Sequence, residues 1–156
     1  MLPRPRQTRR HSLSALGEPP DRVAAEFQRR VRTELASQDW HRSFDEESLR
    51  WFRERGMRMS ALLLGYLDTA RAVGRDQLLG QAEILGREYG VEAKRQGLSL
   101  GEATQAFLFF RARFMAEIAS VARRRGLGAE QASALFENAD GALDHVILAL
   151  IAGHQA

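Results

Sequence analysis

The sequence predicts an all-α fold, about five helices in a single bundle with no sheet, and three observations carry that prediction. Apolar residues recur at intervals of three and four from Val23 to Ile151, the spacing that gathers them on one face of a helix. No segment alternates apolar and polar residues with β-branched enrichment, as a half-buried strand would. Helix starts and stops are also written locally, most clearly where Ser99 and Glu102 form a capping box and Gly126 closes the same helix.

The elements follow in chain order. Residues 1–20 contain all four prolines and the arginines Arg4, Arg6, Arg9 and Arg10 without hydrophobic periodicity. They are expected to form a disordered basic arm ahead of a helical domain over 21–156. Asp21 is placed to cap a first helix running to about Ser37, with Val23, Phe27, Val31 and Leu35 spaced at four. The connector 38–44 breaks this pattern; its Trp40 is read as a lid over the core and its His41 as solvent-facing.

Ser43 and Glu46 form a second capping box, opening a long helix to about Ala70. Its buried stripe is Leu49, Phe52, Gly56, Met59, Leu63, Tyr66 and Leu67. A glycine inside a helix costs about 1 kcal/mol relative to alanine, so Gly56 is expected to permit close approach of another helix. Trp51, Arg55, Arg58 and Leu62 form a second, mixed face, read either as solvated surface or as a partner-binding surface. Asp76 is placed as the cap of a third helix reaching about Gln96, with Leu78, Ala82, Leu85, Tyr89 and Ala93 on one side and Gly97 as its stop.

The fourth helix carries the densest aromatic cluster. Ala103, Phe107, Phe110, Phe114, Ile118 and Val121 share one narrow arc, and Arg123, Arg124 and Arg125 stand at the negative end of the helix dipole. Arg111 sits at the rim of the arc. Its stem can pack while the guanidinium reaches water, or the group can pair with a carboxylate or an anionic ligand. Phe109 projects to the opposite side and is expected to face outward, as at an oligomer contact. The last helix, about Ala129 to Ala152, is apolar over a wide arc including Leu135, Ala139, Leu143, Val146 and Leu150, with Leu148 outside it. Such a helix packs between two neighbours or against a second subunit.

Composition narrows the function. The 156 residues make one domain of ordinary size, large enough to bury a core without metals or disulfides. There is no cysteine, which removes thiolate nucleophiles, thiolate metal sites and disulfides together, and a cytoplasmic location is expected. The net charge of +3 belongs to the opening segment, whose four arginines precede Glu18, the first acidic residue. A folded nucleic-acid binder carries its basic face on the domain itself, so nucleic acid is not the expected partner. The longest apolar run, Val146–Ala152, is seven residues against the roughly 20 of a membrane span, so no membrane is expected.

HExxH, GxSxG, the P-loop and GxGxxG after a strand are all absent, so the chain is read as a non-enzyme with no catalytic residues. Asp140 and Asp144 share a helix edge, but His145 points roughly 100° away from them, so no metal is expected. Neither His41 nor His145 stands where a globin places its haem ligand, so no cofactor is expected. A helix-turn-helix around Gly126-Leu127-Gly128 would expose mostly apolar and acidic groups to phosphates that need the reverse.

A family pattern does run through the second half: Leu-Gly-Arg-Glu from Leu85, Gly-Leu-Ser-Leu-Gly-Glu-Ala from Gly97, Phe-Leu-Phe-Phe-Arg from Phe107, then Asn138-Ala139-Asp140 and Leu143-Asp144. This order resembles the N-terminal domain of RsbRD-type RsbT co-antagonist proteins, over roughly Arg22–His154. The resemblance implies a dimeric helical input module of bacterial stress signalling and transcription regulation, distantly globin-like without haem, that precedes a STAS, DNA-binding or kinase output. The STAS domain with its phosphorylated threonines has no counterpart in these residues, so phosphorylation-dependent partner switching is not carried over. The chain is expected to be a stand-alone regulator or an excised unit.

The leading expectation is therefore a homodimeric regulatory domain, paired through Phe109, Leu148 and Ile151, that relays a signal to a protein partner or output domain. The alternative is a small-molecule sensor or carrier in which Phe107, Phe110 and Phe114 line a pocket and Arg111 holds an anionic head group. A third reading gives the N-terminal arginine arm a role on DNA.

Overall fold

The computed structural model describes residues 12–35, 37–38 and 44–156. Trp40, His41 and Ser43, and the arginines of residues 1–11, lie outside the described residues. Five helices follow in order: α1 (Pro20–Leu35), α2 (Glu46–Asp68), α3 (Ala72–Arg95), α4 (Leu100–Arg124) and α5 (Ala129–Gln155). Among the described residues there is no strand, and the helices pack as one bundle, as the periodicity predicts.

Several starts differ from the sequence reading for local reasons. Pro20 takes the first position of α1, where its missing N–H costs nothing, so Asp21 stands in the first turn beside the helix dipole instead of capping it. The N-cap of α2 is Asp45, whose Oδ1 accepts from the Ser48 N–H at 2.7 Å, an anchorage that holds its carboxyl below the usual range. Helix α3 begins at Ala72, four residues before Asp76, because the Arg71 carbonyl already accepts from Arg75 at 3.0 Å. The box at α4 forms as predicted, Glu102 N–H to Ser99 Oγ and Ser99 N–H to Glu102 Oε1, each at 3.1 Å. Gly126, at φ 58°, closes α4 and lets Leu127 N–H reach the Ala122 carbonyl.

The expected arm over 1–20 is corrected at its C-terminal end. Leu13 is fully buried and Glu18 is 1% exposed, so residues 12–19 form a strap bound to the body. Ser14 donates through its N–H and hydroxyl to the Asp68 carboxylate at the end of α2 (2.7 and 3.1 Å). At the other side Glu18 accepts from Arg124 and Arg125 at the end of α4, and Arg125 donates to the Gly17 carbonyl at 2.7 Å.

Two helix contacts organise the rest. Helices α3 and α5 run parallel, with Gly86 against Val146, Gly90 against Leu150 and His154, and Gly153 against Arg87. A Cβ on Gly90 would stand 2.0 Å from the Leu150 carbonyl oxygen, and one on Gly153 would stand 2.1 Å from that of Arg87, so the two backbones touch. Helix α1 lies antiparallel on α4: Arg30 meets Glu117 at 3.2 Å and, one turn on, Glu34 pairs with Arg113. Between these contacts lie Phe114, Ile118 and Val121 of α4, Leu63, Leu64 and Leu67 of α2, and Leu143, Val146 and Leu150 of α5.

Two expectations fail here. Gly56 admits no second helix: a Cβ there meets no atom within 4 Å. Phe109 is 8% exposed, because α1 covers the flank of α4 on which it stands; Arg113, paired with Glu34, holds its guanidinium 5.0 Å from the ring.

Candidate ligand cavity and its surroundings

The space at Gly56 belongs to a cavity of about 350 Å³ to which all five helices contribute. Its size falls at the lower end of the range of small-molecule sites. From α4 come Ala106, Phe107, Phe109 and Phe110; Phe27 of α1 meets Phe110 edge-on at 5.2 Å, which fixes both rings. Helix α2 supplies Phe52, Gly56, Met57 and Met59, with Phe44 edge-on to Phe52 at 4.7 Å. Leu85, Gly86 and Tyr89 of α3 and Val146 and Leu150 of α5 form the wall toward the seam.

Polar groups on this wall are few. Gln28 and Arg32 lie one turn apart on α1, Arg53 and Arg55 come from α2, and Tyr89 faces Phe52 at 4.7 Å between ring centres. Burial pushes the Tyr89 phenol above its ordinary pKa, so it stays a neutral hydroxyl. Arg55 is committed: its guanidinium lies 5.1 Å over the Trp51 ring and 3.9 Å from Glu88. No carboxylate lines the cavity among the described residues.

The residues singled out in the sequence divide between this site and elsewhere. Phe107 and Phe110 line the cavity; Phe114, 1% exposed, stacks on Phe110 within the core and does not. Arg111 is not available to a ligand, since it donates to Asp144 at 2.8 Å and to Asp140 at 3.1 Å. Burial opposes its charge, but those two bonds outweigh it and hold its pKa above the usual arginine value. The shared edge of Asp140 and Asp144 is thus a seat for Arg111, while His145 pairs with Glu83 of α3 at 3.1 Å. Among the described residues no group of His, Asp and Glu is arranged to hold a metal ion.

Trp51 and Leu62 are half-buried, Trp51 against Phe52 and Tyr89, so of the mixed face on α2 only Arg58 is fully exposed. Leu148 is 65% exposed, as its position outside the apolar arc predicts, and Ile151 is half-buried against the core. Gln28, Arg32, Arg53 and Tyr89 escaped the sequence reading as wall residues. The signal that could have found them is Gly56, an absent side chain in an apolar stripe, flanked by Arg53.

A second concentration of charge lies at the α4 terminus. Glu18 and Glu117, each 1% exposed, share Arg124, at 3.1 and 3.7 Å; Arg125 completes the first and Arg30 the second. The hydrogen bond from Arg124, ahead of that from Arg125, holds the Glu18 carboxyl below the usual range against the opposing effect of burial. Buried charges persist only when paired in this way, and here the pairing ties strap, α1 and α4 together.

No protein-family model, no curated protein and no solved structure matches the chain.

Proposed function

We propose that the chain is a non-enzymatic regulatory input domain, and that the cavity between α1, α2 and the α3–α5 seam is where its signal, a small and largely apolar molecule, is received. The single observation that carries this reading is the cavity itself: about 350 Å³ walled mainly by aromatic and aliphatic side chains, with few polar groups to orient an occupant. The wall supplies aromatic rings, thioethers and guanidinium groups, a chemistry suited to holding a molecule. An occupant would touch every helix, and a preference for one arrangement of those helices is all that a signal requires. The family resemblance of the second half supports the same reading, in a bacterial cytoplasmic setting with a protein partner or output domain. A native mass spectrum of the full chain is expected to show retained non-covalent mass that Gly56→Leu, which fills the cavity, removes while the protein stays folded. A clean mass, together with no thermal stabilisation by apolar compounds of matching size, would defeat it.

Homodimerisation is a second component, carried by the exposure of Leu148 with Ile151 beside the core. Because Phe109 is buried, the proposed interface rests on Leu148 and Ile151 of α5. Sedimentation velocity should give a dimer that Leu148→Asp converts to a monomer; a monomer at all concentrations, or a dimer indifferent to the change, removes this component.

A further inference from the structure

We infer that the cavity is built for an amphiphile with one anionic head group, the head lying between Arg32 of α1 and Arg53 of α2 and the tail among the phenylalanines; this rests on the reading of the cavity as a ligand site. The charges on its described wall are of one sign, three arginines and no carboxylate. Several arginines of the bundle are matched, Arg30 to Glu117, Arg95 to Glu92, Arg111 to Asp140 and Asp144, Arg113 to Glu34, Arg124 and Arg125 to Glu18, while others, Arg50, Arg58 and Arg87 among them, meet no carboxylate among the described residues. Arg55 is held by Trp51 and Glu88. Arg32 and Arg53 have no carboxylate within ion-pair distance among the described residues, and what sets them apart is that both border apolar space. Two unmatched guanidinium groups from two helices, backed by an apolar interior, offer a carboxylate or similar anion charge-assisted hydrogen bonds that a neutral head cannot make.

Size sets the tail. A cavity of roughly 150 Å³ holds one benzene ring, so about 350 Å³ accepts two fused rings or an acyl chain of comparable bulk. Met57 and Met59, unbranched and polarizable, let the wall adapt to either shape. Both arginines are exposed, so the head sits at the rim where water weakens the attraction, and the charge preference should be moderate, about tenfold.

Isothermal titration of the full chain with decanoate, decan-1-ol and decyltrimethylammonium tests this directly. Decanoate should bind about tenfold more tightly than decan-1-ol, and decyltrimethylammonium more weakly than either. Added salt should weaken only decanoate among the first two. The double variant Arg32→Gln, Arg53→Gln should bring decanoate down to the affinity of decan-1-ol and leave decan-1-ol unchanged; Gly56→Leu should lose both. Equal binding of decanoate and decan-1-ol by the unmodified chain, or a decanoate preference that survives the double variant, overturns the ligand class while the cavity stands as a site. If none of the three binds, the cavity reading falls with it.

Discussion

Along the α3–α5 seam, Gly90 and Gly153 omit side chains so that two backbones can touch; at Gly56 of α2 a side chain is omitted and the space stays open. One half of the bundle is therefore closed to the limit of contact, and the other is hollow beside it. The difference teaches that a glycine inside a helix reports only that no Cβ is wanted there. Whether the reason is a neighbour or a vacancy is decided by the partner helix. A parallel pair in backbone contact beside a hollow α1–α2 side is the kind of frame that the proposed ligand-dependent signalling would use.

The comparison breaks most readily at the seam. Gly90→Ala and Gly153→Ala each put a Cβ within 2.1 Å of a backbone oxygen, which no side-chain rotation can relieve. Each should cost on the order of 3 kcal/mol or more in urea denaturation. A loss under about 1 kcal/mol at both would mean that the seam is not in contact as described. Gly86→Ala, whose nearest backbone oxygen is at 2.9 Å, should cost less than either.

The seam was also the part least legible in the sequence. The fourth helix could be read almost to the residue because its capping box, its apolar arc and its closing glycine are all local. Gly86, Gly90 and Gly153 look like any other interior glycines until two helices distant in sequence are laid side by side. Phe109 misled for a related reason: helical projection finds the face opposite Phe107, but only the position of α1 shows that this face is covered too. The Glu18–Arg124 contact spans 106 residues, and nothing near Glu18 marks it as buried. The cavity was legible in part, through Phe107 and Phe110, whereas its cationic rim was assigned to Arg111, which instead completes a pair with α5.

The strap extends the comparison to the end of the bundle away from the cavity, where it ties the end of α2 to the end of α4. Glu18→Gln removes one charge from a buried, hydrogen-bonded cluster and should cost about 2 kcal/mol, the arginines' partial exposure keeping the loss moderate. Hydrogen exchange should rise over residues 12–19, the start of α1 and the ends of α2 and α4, with α3 and α5 unchanged. Uniform loosening of all five helices would show that the two halves do not open separately. The acid response has a definite sign. Glu18 has its folded pKa below the ordinary 4.5, and Glu92, through its bonds to Arg95 and Gln96, lies at about 2. Both contribute stability that is complete above the unfolded value and lost as pH falls through 4.5 toward the folded values. Melting temperature should fall below pH 4.5, and less steeply in Glu18→Gln; an identical slope in the two proteins would remove Glu18 from the acid response.

The smallest change is the most discriminating. Gly56→Ala adds a methyl group where no atom lies within 4 Å, and alanine is favoured over glycine in a helix interior by up to about 1 kcal/mol. The variant should be slightly more stable than the parent chain, the reverse of Gly90→Ala, although both place the same group on the same kind of residue. A glycine that lowers stability without admitting a neighbour needs another reason to be there, and the cavity it borders supplies one. If Gly56→Ala instead destabilises the chain, α2 meets a neighbour at that position and the hollow half closes. If it stabilises the chain while weakening decanoate, stability and occupancy compete for the same few cubic ångströms beside Gly56.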